Sequence, residues 1–478
     1  MKISKVEICN FKGYSGITKF NFNNNMVYIS GENNVGKSSL FEAINLVVNG
    51  NNNDFLEKKN KCSDKPMFVN LEFSGKDIPK IIEKYAQGNK KNVFKKYIFE
   101  KDDTYKLVLS RASNNKNGDL CIYNEDNNKF ENPSGISAPI KKLFKFIVID
   151  ADDSADNEVN FKKSGTIGKL LSVISDSFSK SEGYKKLEKI HKEVFDQFKD
   201  DFSSKIDKRI SEILHEQYDE NVETNIKFNM PDVDKLITNA KLLVDDGIET
   251  DIYDKGNGLQ RSVALALIQL QAEFEENINS DEHKPVFYFI DEPEVFLHPR
   301  GQHKLRESLE KLSKKYQMFI STHSPFILDN YDKNRQDLCL LEKKNDNVSN
   351  KKINKLSNVF ENPTCAEIIY YAFDLPTMDF HNQLYNIIQC NYNGVRATDN
   401  ALNSYYEDHK DINSYSEKLK VESESQGNEN YKMLSTKIRN IFHHFEISNN
   451  NVSVEDLDIS IKFMIDYCND NNITNSLI

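Results

Sequence analysis

Short apolar runs separated by polar, asparagine-rich stretches fill the first 160 residues, a pattern that predicts strands and turns around one helix. Met26-Val27-Tyr28-Ile29 reads as a strand, and Leu40-Phe41-Glu42-Ala43-Ile44 has helical spacing. Asn49-Gly50-Asn51-Asn52-Asn53 and Asn114-Asn115-Lys116-Asn117-Gly118 mark loops. From about 163 to 217 the apolar positions turn helical among many charges, through Ile167, Leu170, Leu171, Ile174 and Phe178, then Leu187, Ile190, Val194, Phe198, Phe202, Ile206 and Ile210. Asn225-Ile226-Lys227-Phe228 predicts a strand, and 241–250 a hairpin turning at Asp246-Gly247. Three more apolar strands follow at 285–290, 318–320 and 338–342, the last expected to close the sheet. Beyond 363 helical spacing returns and runs to about 470, crossing a polar linker near 421–430. The expected division is an N-terminal lobe at 1–162, a helical insertion at 163–235, a second lobe at 236–360 and a helical domain at 361–478.

Chemistry enters between the first strand–helix pair. Residues 31–38 read Gly-Glu-Asn-Asn-Val-Gly-Lys-Ser, the GxxxxGK[S/T] spacing of a phosphate-binding loop in its strand-to-helix context. Gly31 and Gly36 let backbone N–H groups approach a polyphosphate, the helix that follows adds its positive dipole end, and Asn34 and Ser39 flank the cradle. Lys37 is expected on the β- and γ-phosphates and Ser38 on Mg²⁺. The strand at 285–290 ends in Asp291-Glu292, a metal carboxylate beside a base that would orient and deprotonate water. The strand at 318–320 leads to Ser321-Thr322-His323, whose imidazole stands where it could touch the γ-phosphate.

A fourth element precedes the carboxylates: Lys255-Gly256-Asn257-Gly258-Leu259-Gln260-Arg261-Ser262, before an apolar helix. Together these residues resemble the ABC-type ATPase heads of the SMC and RecF group, and most of all the OLD-like (AAA-21) ATPases of bacterial anti-phage systems, whose signature reads Gly-Ser-Gly-Leu-Gln-Arg. Residues 1–14 look like the first strand and turn of that group, and Asp291-Glu292-Pro293-Glu294 with Leu297-His298-Pro299 like its Walker B and D-loop. The resemblance covers roughly residues 1–60 and 240–345. It implies an α/β ABC-type P-loop ATPase head with a helical insertion, followed by an all-α C-terminal domain. It also implies an ATP-sandwiched homodimer, in which Asn257, Gly258 and Gln260 of one chain cap the nucleotide held by its mate. Asn257 replaces the signature serine with an amide that can still donate a hydrogen bond, which points to slow hydrolysis. No glutamine matches the family's Q-loop; the candidate strand at 144–149 runs into carboxylates instead.

Composition narrows what remains. With 38% hydrophobic residues, 30 Phe and 21 Tyr, a chain of 478 residues can bury a core and hold two or three domains. No apolar run is long enough to span a bilayer, the opening residues lack an export signal, and the seven scattered cysteines contain no CxxC pair; a reducing cytoplasm is the expected compartment. The net charge of −11 excludes a surface basic all over, although clusters such as Lys90-Lys91, Lys95-Lys96 and Lys141-Lys142 could form a local nucleic-acid stripe or simply a solvated face. Asp150, Asp152, Asp153, Asp156 and Glu158 read as an acidic loop rather than a metal site.

OLD nucleases continue into a Toprim domain, but no DxD pair follows a strand here. Arg439-Asn440-Ile441-Phe442-His443-His444 instead fits the R[N/D/H]xxxH pattern of HEPN ribonucleases, in which Arg439 and Asn440 with His444 would cleave RNA without metal. The same helix can equally be a basic, partner-facing surface. Two effectors therefore stay open: the chain's own tail, or a separate nuclease held by a PtuA-like regulatory ATPase. A RecF- or SMC-like DNA repair factor is a third reading, disfavoured by the short insertion.

Overall fold

The structure is a computed structural model that describes residues 1–61, 65–86, 90–114, 118–149, 181–198, 204–218, 241–263, 266–267, 270, 284–344, 347–351, 356–391, 398, 402, 420–422, 431–443 and 452–474. The chain divides into two compact units, residues 1–150 with 284–478, and residues 151–283. The signature segment thus falls in the same unit as the insertion, and the C-terminal helices in the same unit as the phosphate-binding loop.

The first unit is built on two sheets. An antiparallel sheet has the order β2-β1-β4-β6-β7-β8, formed by β1 (Lys2–Phe11), β2 (Tyr14–Asn21), β4 (Phe68–Gly75), β6 (Thr104–Ala112), β7 (Leu120–Asn124) and β8 (Lys129–Glu131), with β5 (Ile98–Lys101) also pairing with β6. The second sheet has the order β15-β14-β3-β13-β12-β9 and is parallel except at β15. Its members are β3 (Met26–Gly31), β9 (Lys145–Ile149), β12 (Val286–Asp291), β13 (Gln317–Thr322), β14 (Gln336–Lys344) and β15 (Asn347–Lys351). All residues of β3, β12 and β13 are buried, which is why they appear in sequence as continuous apolar runs rather than alternating ones.

Helix α1 (Lys37–Val48) packs against both sheets and buries Leu40, Phe41, Ala43, Ile44, Val47 and Val48. An aromatic stack continues the core: Phe41 meets Phe289 edge-on at 5.6 Å, and Phe289 lies flat on Phe319 at 4.9 Å. Each such ring contributes roughly 2–3 kcal/mol by leaving water.

Two sequence expectations are corrected. The strand at 338–342 does not close the sheet, because β15 returns antiparallel to β14 and braces β2: Ser15 N donates to Asn347 Oδ1 at 3.1 Å, and Thr18 Oγ1 to Val348 O at 2.9 Å. An edge strand lives on backbone pairing and here buries only Val348 among the residues 347–350, so its polar sequence concealed it. The C-terminal region is helical but not all-α. Lys420–Glu422 and Tyr431–Met433 pair antiparallel at the two ends of what reads as a polar linker.

In the second unit, helices Glu182–Phe198 and Ser204–Tyr218 occupy part of the expected insertion, and β10 (Leu243–Asp245) pairs with β11 (Glu249–Asp251) around the expected turn. The predicted strand 225–228, the helical positions 167–178 and the acidic stretch 150–158 lie outside the described residues. Among the described residues no helix is long and apolar enough to cross a membrane.

The C-terminal helices have their own core, in which Met378–Cys390 packs on Val454–Asp470. His381 is fully buried there, with Nε2 3.0 Å from Ser460 Oγ and Nδ1 without a hydrogen-bond partner. Burial lowers its pKa from the ordinary histidine value to about 4. Between pH 6.5 and 4 the unfolded chain therefore takes up a proton that the folded chain refuses, so stability falls as pH drops through that window, by up to roughly 3 kcal/mol from this residue. His381→Asn is expected to flatten the pH dependence of the melting temperature there; a slope equal to that of the unsubstituted protein would refute a neutral, buried imidazole.

Candidate nucleotide site

The phosphate-binding loop follows β3, where the backbone must turn sharply. Gly31 has φ +149°, and a Cβ there would stand 2.3 Å from the carbonyl oxygen of Leu341 on β14, so no side chain fits. Gly36 has φ +99° and lies against the ring of Tyr14. Asn34 takes the left-handed conformation at φ +60°, which asparagine tolerates. Gly36 caps α1 with no side-chain hydrogen bond, and the first turn carries no acidic residue. The opening N–H groups of α1 thus present a positive end to any anion seated on the loop.

The strand ends of the parallel sheet bring the other groups to this point. Lys37 is 5% exposed; its Nζ donates to Glu32 O at 3.0 Å and Gly31 O at 3.4 Å and abuts His323 Nε2. Burial pulls its pKa below the ordinary lysine value, against the opposing pull of Glu292, Asp291 and Glu294. This is a desolvated cation held by neutral carbonyls, an arrangement that polyphosphate oxygens would complete.

Ser38 Oγ donates to Asp291 Oδ2 at 2.5 Å, while Ser321 Oγ donates to Asp291 Oδ1. The serine–carboxylate pair offers the hard oxygen donors that suit Mg²⁺, an ion usually held by one or two protein groups, water and phosphate. Ser38 and Asp291 would hold it, and the bound ion would neutralise charge on the transferring phosphate.

Glu292 has φ +45°, an uncommon conformation for a side-chain-bearing residue, fixed by its N–H donating to Ser321 O at 3.1 Å and Ser321 Oγ at 3.0 Å. Its Oε1 lies 3.2 Å from His323 Nε2. That contact is not an ion pair, because burial and the neighbouring Lys37 lower the His323 pKa to about 4 and leave the imidazole neutral near pH 7, with Nε2 facing the Lys37 ammonium.

Several groups in this cluster carry no sequence motif of their own. Tyr14, fully buried, donates its hydroxyl to Gly36 O at 2.9 Å and so sets the loop from below. Ser321 Oγ donates to the Asp291 carboxylate and accepts from the Glu292 backbone N–H. Arg111, on β6, reaches the far end of α1. An aromatic residue in the first turn was visible in the sequence, but its reach to the loop requires β2 to fold beside it.

The remaining expected site residues are placed as follows. Ser39 is half-buried on α1. Asn257 is exposed at the start of a helical stretch, described from 257 to 263, after Gly256, around which the chain is open. Gly258 lies in that helix's first turn. Gln260 is 2% exposed, and its Nε2 donates to Lys255 O at 2.7 Å and Tyr253 O at 3.3 Å, so its amide holds the signature loop together. Arg439 and Asn440 lie on the helix Leu434–His443, with the Arg439 guanidinium 5.2 Å above the Tyr385 ring; His444 lies outside the described residues.

The chain is similar to the Old nuclease of Escherichia phage P2, with 28% identity over 348 residues, 69% of this chain and 57% of that protein. It thus spans just over half the length of that relative. A short stretch of 60 residues, 13% of the chain, is 37% identical to an uncharacterized protein of Methanocaldococcus jannaschii, 16% of which it covers. Among solved structures it is similar to an Smc head bound to the C-winged helix domain of ScpA, with a TM-score of 0.47 and 16% identity over 73% of this chain and 97% of that one. It is also similar to the SMC head domain from Thermotoga maritima, with a TM-score of 0.37 and 14% identity over 74% and 99%. The family model described as an AAA ATPase domain matches residues 1–328, from the first strand through the turn after His323. This chain belongs to the AAA ATPase domain family.

Proposed function

We propose that the chain is an ATP-driven switch that gates a nuclease effector, with two heads closing on ATP and reopening after hydrolysis. The observation that carries this reading is the convergence of Lys37, Ser38, Asp291, Glu292 and His323 on one loop and helix end. Lys37 would bind the β- and γ-phosphates. Glu292, fixed through its backbone N–H by Ser321, would orient the attacking water and accept its proton at a carboxylate oxygen, and neutral His323 would stand beside Lys37 at the γ-phosphate. Asn257 and Gly258 of a second copy would cap the nucleotide, which makes the homodimer the active form.

Gating is supported by contact with the C-terminal region. The Phe373 ring lies 6.4 Å from the His323 ring, and Cys365 Sγ donates to Pro325 O at 3.4 Å, so the helix Cys365–Phe373 rests on the turn that carries His323. A nucleotide-dependent shift of that turn would be felt by the helices behind it. The name of the phage P2 relative and the resemblance to anti-phage ATPases favour a nucleic-acid target in bacterial defence.

The effector is either the chain's own Arg439-Asn440-His444 motif, acting as a metal-independent HEPN-like ribonuclease, or a separate nuclease. The stacking of Arg439 on Tyr385 favours the separate nuclease, because a guanidinium committed to packing is less available to a scissile phosphate.

Equilibrium binding of labelled ATP and sedimentation with and without ATP test the head. The intact chain is expected to bind ATP and dimerise, and Lys37→Ala to bind at least about 30-fold more weakly, the 2–5 kcal/mol typical of truncating one partner of a desolvated charge pair. Unchanged affinity in Lys37→Ala would sink the site. Incubation with RNA and plasmid DNA in EDTA, beside His444→Ala, separates the effectors: RNA cleavage lost in His444→Ala identifies the tail, and no cleavage identifies a partner nuclease.

A further inference from the structure

Glu294 lies three residues beyond Asp291 and has no place in the chemistry above, yet it is 7% exposed in the wall of the site. Its Oε1 accepts three hydrogen bonds from consecutive residues of one turn: Thr322 Oγ1 at 2.6 Å, His323 N at 2.8 Å and Ser324 N at 3.1 Å. Its Oε2 is buried without a partner. A second strut runs parallel to it. Ser324 Oγ donates to Gln302 Oε1, and Gln302 Nε2 donates to Leu297 O at 2.8 Å. The segment from 294 to 302 is therefore fastened at two points to the residues that present His323.

We propose that Glu294 is a positioning residue, which clamps the backbone of His323 and Ser324 and so transmits movement of the segment 294–302 to the His323 imidazole. The inference rests on the ATPase reading of the site for its kinetic consequence, but not for the clamp. A buried carboxylate is costly unless hydrogen-bonded, and a single oxygen that satisfies three donors is spent on geometry rather than on charge. Phe296, inside the clamped segment, is 66% exposed and has φ +67°, so the segment projects to solvent while its base is anchored at the site. A force applied at 296 has a short, hydrogen-bonded route to His323, and from His323 to Lys37 and Glu292.

The clamp needs an acceptor oxygen, not a charge. Glu294→Gln keeps Oε1 and the side-chain shape, whereas Glu294→Leu keeps the volume and loses the acceptor. Hydrogen exchange of the nucleotide-free protein reads the clamp directly. Glu294→Leu is expected to speed exchange at His323 and Ser324 at least about tenfold, the loss of roughly one hydrogen bond's worth of protection. Residues 26–31 on β3 should stay protected, which shows that the fold survives. Glu294→Gln should match the parent protein. In ATP turnover, Glu294→Leu is expected to lower kcat about tenfold or more with KM little changed, and Glu294→Gln to restore it to within about threefold. Parent-like exchange at 323–324 in Glu294→Leu would overturn the clamp, as would a Glu294→Gln variant as impaired as Glu294→Leu. Altered exchange without ATP turnover in any variant, the parent included, would leave the clamp standing and reject the ATPase reading instead.

Discussion

Glu292→Gln is expected to bind ATP with nearly unchanged affinity, to slow phosphate release by about 10²–10⁴-fold, and to accumulate as an ATP-bound dimer. The side chain is held by a backbone turn at φ +45° that Ser321 secures from two atoms, and an amide of the same shape does not disturb that turn. An amide can also keep the contact to His323 Nε2, now made at 3.2 Å by the carboxylate. What it cannot do is accept a proton from water near pH 7. Lys37, Ser38 and Asp291 are untouched, so nucleotide binding and turnover should separate. Phosphate release at saturating ATP, with sedimentation of the same samples, checks both halves, and turnover within about threefold of the parent would remove Glu292 from the role of base.

Arg111→Ala is expected to cost about 3–5 kcal/mol of stability and to lower the melting temperature by about 5 °C. The guanidinium is 2% exposed and donates four hydrogen bonds: Nε to Val47 O at 2.9 Å, Nη1 to Asn52 Oδ1 at 2.8 Å and Gly118 O at 2.9 Å, and Nη2 to Gly50 O at 2.9 Å. Val47 belongs to the last turn of α1 and Gly50 follows its C-cap, where carbonyls have no helical partner and a cation opposes the negative end of the dipole. Truncation leaves buried carbonyls unsatisfied and a cavity beside them. Arg111→Lys should recover only a fraction, since an ammonium cannot reproduce the fork. Because α1 begins at the phosphate-binding loop, fraying its far end should also weaken ATP binding several-fold. Thermal unfolding with an ATP titration is the measurement, and a loss below about 1 kcal/mol would show that water replaces the side chain.

These two residues differ in how they could be found. Glu292 is legible because two adjacent carboxylates at a strand end, one placed to hold a metal and one to act as a base, form a local pattern. Arg111 has no pattern: it is one arginine in an antiparallel strand, and its partners come from residues 47–52 and 118, brought together only when β6 folds beside α1. Tyr14 is of the same kind, since its partner is a backbone carbonyl that carries no identity in a sequence, and the hold of Glu294 on the His323 turn was hidden because two of its three partners are backbone N–H groups. β15 was hidden because edge strands are held by backbone pairing, and the pair at Lys420–Glu422 and Tyr431–Met433 for the same reason.

The sequence by itself determined the class of the head, the order of its elements and the residues proposed to handle a nucleotide. Phosphate binding demands glycine at fixed spacing, and buried parallel strands demand continuous apolar runs, so both leave a local record. Tertiary structure alone decided which strand ends meet, how Lys37 and His323 come to share one desolvated corner, and that the helix Cys365–Phe373 rests on the His323 turn. Those outcomes depend on burial and on contacts between residues some 30 to 290 positions apart, and no local pattern of side chains encodes a distance in space.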